Sequence, residues 1–116
     1  MPVVAALACL QTVIADEYDD AVSAYFRADY TTAFSVFAGL SEQGDARAQH
    51  NLGLRYFKGQ GVTQDYIQAH GWFNLAASQG NKTARENRDS IAKRMTPGQI
   101  AEAQALASQW AAKYNQ

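Results

Sequence analysis

Two histidines, one cysteine and a short acidic run are the residues of this chain whose types could do chemistry, and their spacing keeps them apart. Nucleophilic catalysis would need Cys9 beside a histidine able to take its proton. Cys9 lies in an uncharged N-terminal stretch, and neither His50 nor His70 has an acid or a nucleophile beside it. A lone cysteine forms no internal disulfide, and no Cys/His group has metal-ligand spacing. Asp16, Glu17, Asp19 and Asp20 could suggest paired carboxylates, but at a chain segment's edge they read as solvated charge. Lys82, Arg85, Arg88, Lys93 and Arg94 are interrupted by Glu86 and Asp89 and carry no interleaved aromatics, which reads as a solvated helix face. The net charge of −1 gives no bulk attraction to nucleic acid or an anionic membrane. No catalytic residue, cofactor or metal is therefore assigned, and the chain is read as a non-enzyme.

The elements that would position any site come from a repeat. Sliding the chain by 36 positions brings eight residues onto their own kind: Asp29 onto Asp65, Tyr30 onto Tyr66, Ala33 onto Ala69, Phe37 onto Phe73, Gln43 onto Gln79, Gly44 onto Gly80, Ala48 onto Ala84 and Asn51 onto Asn87. A fixed period of this size marks a solenoid, whose helical hairpins bury their apolar faces by stacking on one another. A chain of 116 residues, 47% hydrophobic and with two prolines, suits one folded helical domain.

Residues 1–15 carry no charge. An apolar run from Val3 to Leu10 is followed by Gln11-Thr12, then Val13-Ile14-Ala15, and charge begins at Asp16. This is the middle and end of a secretory signal without its basic start, with a cut expected after Ala15. An N-terminal helix capping the solenoid is the alternative, and a lipoprotein site at Leu7-Ala8-Cys9 fits less well, since Ala6 stands where a larger aliphatic is preferred. The run is too short to span a bilayer. The reading is a signal remnant over 1–15 and a single repeat domain over 16–116, periplasmic or secreted if the signal operates and cytoplasmic otherwise.

In the central hairpin, Asp45 can cap a helix carrying Ala48, Leu52, Gly53, Tyr56 and Phe57 on one broad face. Gly59 and Gly61 end it, and Asp65 caps the partner helix with its stripe of Tyr66, Ala69, His70, Trp72, Phe73, Ala76 and Ala77. Gly53, Ala69 and Ala76 are small enough to let the two backbones approach. His70 shares a register with Phe34 on this packing stripe and is expected to be structural. The helix from Tyr30 to Gln43 repeats the second stripe, after a short turn at Ala28-Asp29. Thr96-Pro97-Gly98-Gln99 then reads as a capping box with proline at the first helical position, opening a final helix with Ile100, Ala103, Ala107, Trp110 and Tyr114 on one face. The expected fold is all-α: antiparallel helix pairs stacked as a short α-solenoid, closed by a C-terminal capping helix.

The run Ala48, Leu52-Gly53, Tyr56, Gly59-Gln60-Gly61-Val62, Asp65-Tyr66, Ala69, Trp72-Phe73, Ala76-Ala77, Gly80 resembles the Sel1-like repeat, a relative of the tetratricopeptide repeat with a longer glycine-bearing loop. The match is complete over one unit. Upstream only the second half of a repeat is kept, and downstream Arg88-Asp89 replace Leu-Gly and the glycine loop is missing. The resemblance implies a scaffold that binds a protein or extended peptide, here as a monomer. A small enzyme or enzyme inhibitor acting on cell-wall material is the rival of a different class, with no coherent catalytic set to support it.

In tetratricopeptide-like solenoids the first helix of each pair lines the concave face. That places Arg47, His50, Asn51 and Leu54 on the groove side of one such helix and Asn87, with Thr83 and Ser90 beside it, on the next. Asparagine amides one repeat apart could pair with a peptide backbone, and Arg47 with a carboxylate. Both asparagines as plain surface residues is the competing reading.

Overall fold

The computed structural model describes residues 17–115. Among these residues there are six helices and no strand: α1 (17–26), α2 (Tyr30–Glu42), α3 (Ala46–Lys58), α4 (Tyr66–Ser78), α5 (Lys82–Ala92) and α6 (Pro97–Tyr114). The expected signal remnant, and Cys9 with it, lies outside the described residues.

One turn design joins α1 to α2, α2 to α3 and α4 to α5. In each, a residue with positive φ leaves the helix and the next residue caps the following one: Ala28 (φ 60°) before Asp29, Gly44 (91°) before Asp45, Gly80 (95°) before Asn81. In each the capping residue's own N–H closes back onto the earlier helix, on Ala24, Leu40 and Ala76 carbonyls respectively. This is the wide backbone bond of a Schellman ending, which satisfies a carbonyl the helix leaves open. The α3–α4 connection differs, as its glycines foretell. Gly59 ends α3 in the left-handed conformation (φ 67°), and at Gly61 (φ 80°) a Cβ would collide with the Tyr30 carbonyl. The longer loop thus packs against the start of α2.

The repeat register survives in three dimensions. Ala33 and Ala69, Phe37 and Phe73, Ala48 and Ala84 are all fully buried. Asp29 and Asp65 both cap, accepting from the Thr32 and Gln68 amides. The α4 helix sits at the centre, against α3, α5 and α6, so residues on every side of it are buried: Ala69, His70, Gly71, Trp72, Phe73, Leu75 and Ala76. A helix that is apolar nearly all round is what such a position requires. Small residues set its spacing. A Cβ on Gly53 would lie 2.6 Å from the Phe73 ring and 3.2 Å from the Ala69 carbonyl, and one on Gly71 would lie 2.7 Å from Trp110.

The last helix closes the stack through its contact with α4. Trp72 and Trp110 stack with centroids 4.1 Å apart and planes 12° from parallel, and Tyr114 continues the stack at 6.1 Å from Trp72. The capping box is formed, with Thr96 Oγ1 accepting from the Gln99 N–H and Gln99 Oε1 from the Thr96 N–H. At the other end of α6, Asn115 Oδ1 accepts from Gln49 Nε2 (3.0 Å), which also donates to the Ser41 carbonyl; Gln79 Nε2 donates to Gln49 Oε1 (2.9 Å) and to the Gly44 carbonyl. An amide network centred on the buried Gln49 therefore ties the ends of α2, α4 and α6 to the first turn of α3.

Candidate interaction face

The first helices of the three pairs, α1, α3 and α5, are stitched side by side through their polar residues. Asn51 Nδ2 donates to Tyr18 Oη on α1 (3.1 Å) and to the Arg47 carbonyl (3.0 Å). One repeat later, Asn87 Nδ2 meets His50 Nε2 on α3 at 3.0 Å. Each asparagine thus reaches back to the preceding first helix. An amide carries two donors and an accepting carbonyl, so both Nδ2 hydrogens of Asn51 are engaged while its Oδ1 keeps its lone pairs. For Asn87 to donate, His50 must be the neutral imidazole with its proton on Nδ1.

Arg47 lies at the same seam, with its side chain about half exposed. Its guanidinium sits 4.2 Å above the Tyr18 ring and forms a 3.0 Å ion pair with Asp45, the residue that caps α3. The Asp45 carboxylate, against partial burial, holds the Arg47 pKa above its ordinary value. With its cation half in solvent such a pair contributes little to stability; its effect is to fix where the cation stands.

Leu54 does not stand free on the surface. It packs with Phe57, Phe73, Ile91, Asn87 and Ser90 around a pocket of about 80 Å³ between α3, α4 and α5. The pocket is apolar within and has Asn87 and Ser90 as its polar lining. The structure therefore gathers Arg47, His50, Asn51, Leu54 and Asn87 along one seam, where Thr83 and Ser90 are exposed. Sequence reasoning missed Tyr18 as a member of this seam. Its position on α1, upstream of the legible repeat, gave no register by which to place it.

Among the described residues no group of three or more His, Cys, Asp or Glu side chains is arranged to hold a metal ion. His70 is buried on the packing stripe, 3% exposed, with Nδ1 lacking a partner. Among the same residues, no helix is long and apolar enough to cross a membrane.

Comparison with known proteins agrees with the helical-repeat fold. The model of the Sel1 repeat matches residues 46–81, the α3–α4 hairpin from the first residue of α3. The secretory immunoglobulin A-binding protein EsiB of Escherichia coli O6:H1 is 50% identical over 36 residues, which are 31% of this chain and 7% of that protein. The crystal structure of a protective antigen present in uropathogenic Escherichia coli strains, displaying an SLR fold, superposes with a TM-score of 0.81 at 32% identity. That superposition covers 87% of this chain and 23% of the antigen's. This chain therefore spans less than a quarter of the length of either relative.

Proposed function

We propose that this chain, which belongs to the Sel1-like repeat proteins, is a non-enzymatic scaffold whose α1–α3–α5 face binds a protein or an extended peptide. The observation that carries the reading is the convergence on one face of a positioned cation, Arg47, an amide carbonyl, Asn51, and the Leu54 pocket with Asn87 at its edge. A backbone amide of the partner would donate to the Asn51 carbonyl, a carboxylate would pair with Arg47, and a small aliphatic side chain would fill the pocket. Repeat scaffolds act by presenting such surfaces rather than by bond chemistry. The relative named for binding secretory immunoglobulin A supports a protein as the class of partner. Export is part of the proposal and rests on the uncharged segment before Asp16.

The test begins with affinity capture from periplasmic or secreted extract of the native host. Binding of the captured partner is then measured to Arg47→Ala, Asn51→Ala, Leu54→Ala and Asn87→Ala, each checked for retained helicity. A loss of about tenfold or more, 1.4 kcal/mol, at one or more of these positions is expected. Wild-type affinity in all four folded variants would move the site to the convex face or the loop 59–64. Export is checked by mass spectrometry of the native protein, which should begin at Asp16; a cytoplasmic form retaining Met1 would refute it.

A further inference from the structure

His50 stands where α5 meets α3, bonded to Asn87. The α5 helix buries only Ala84 and Ile91, whereas α4 buries seven residues. Much of its attachment is therefore polar: Asn87 to His50 at 3.0 Å, and Arg88 Nη1 to Asn74 Oδ1 on α4 at 2.8 Å. His50 lies between Asn87 and the Phe73 ring, 5.7 Å centroid to centroid. The charged group bearing on it is Arg55, on its own helix. His70 is buried on α4, and the charged groups bearing on it are Arg88 and Asp89, both on α5.

We propose that this seam is a proton-operated latch, in which neutral His50 holds α5 against α3 and protonation of His50 loosens it. A proton on His50 Nε2 would face the Asn87 N–H instead of accepting from it, and the amide would have to turn over. Burial first, then Arg55, pushes His50 below its ordinary pKa. A depressed histidine pKa means that the loosened state binds more protons. Docking of α5 is then complete above the ordinary histidine value of about 6.5, and is lost as pH falls below it. The consequence is a face whose Asn87 and Ile91 edge is remodelled by mild acid.

Hydrogen–deuterium exchange of the full chain from pH 7.5 to 5, corrected for intrinsic rates, tests this without any binding partner, so its outcome is separate from that of the scaffold reading. Protection of α5 amides is expected to fall about tenfold for each pH unit by which a histidine is depressed, with α2 amides changing less. His50→Gln should flatten the α5 profile. Should that variant fail to fold, Asn87→Asp gives the second arm. Its carboxylate would accept from the imidazolium, raise the His50 titration seen by NMR and keep α5 protected at pH 5. Unchanged α5 protection, a uniform loss across all helices, or an Asn87→Asp variant that opens in acid like wild type would overturn the proposal.

Discussion

Replacing each of three mid-helix glycines by alanine should change stability in graded steps set by what a Cβ would meet. Chain entropy favours alanine by about 0.5–1 kcal/mol in a helix interior, so this contribution is alike at Gly39, Gly71 and Gly53. Nothing lies within 4 Å of a Cβ at Gly39, so Gly39→Ala should be stabilising by nearly that full amount. At Gly71 the Cβ would stand 2.7 Å from Cζ3 of Trp110, a side chain only partly buried that can shift at some loss of its stack on Trp72. Gly71→Ala should fall near neutral. At Gly53 the obstacle is the ring of Phe73, fully buried, at 2.6 Å, with the Ala69 carbonyl behind it at 3.2 Å. Neither can yield, and overpacking costs about 1–3 kcal/mol, which outweighs the propensity gain. Gly53→Ala should lose about 0.5–2 kcal/mol. Urea unfolding followed by far-UV circular dichroism reads this as a shift in midpoint at unchanged slope. A Gly53→Ala protein at least as stable as wild type would show that α3 and α4 do not cross at this residue.

The turn at Ala28 holds a side chain at φ 60°, where its two counterparts use glycine, so Ala28→Gly should relieve roughly 1 kcal/mol of strain; an equal or lower urea midpoint would contradict it. Thr96→Ala removes one half of the capping box on α6 and should cost about 1 kcal/mol in the same assay. Gln49→Ala and Gln79→Ala should be coupled by more than about 0.5 kcal/mol in a double-mutant cycle, because the two amides share a direct 2.9 Å bond at the buried Gln49. Arg55 is 2% exposed, lies 4.3 Å over the Tyr25 ring and has no carboxylate partner among the described residues. Arg55→Met, of similar length, should therefore be within about 1 kcal/mol of wild type or better, while Arg55→Ala, leaving a cavity, should cost about 2 kcal/mol or more.

The repeat was legible because its signals are local. A capping aspartate, a small residue at a crossing and a glycine leaving a helix each act through neighbours a few positions away. The 36-residue shift therefore aligned residues that occupy the same place in space, such as Phe37 with Phe73 and Gly44 with Gly80. The α5–α6 half lacked the glycine loop, yet Thr96 still marked where the last helix begins. What the register could not carry is contact between distant segments. Gln49 looks like a surface residue on a helix, and it is buried because Asn115, 66 positions later, arrives beside it. Arg55 is likewise a polar position buried under the Tyr25 ring of α1.

The asparagines show most clearly where pattern and role part company. Asn51 and Asn87 occupy one repeat position and both reach the preceding first helix, but through different chemistry: one meets a tyrosine hydroxyl, the other a histidine nitrogen. The shared position makes both into stitches between repeats. The differing partner gives the second one an imidazole, which gains a proton in mild acid. Acid should therefore act on the α3–α5 junction and spare the α1–α3 junction, although the sequence places the same residue at each. A repeat fold can in this way carry a local response that its periodicity conceals, because the period sets where side chains meet while the unrepeated neighbour decides what the meeting does.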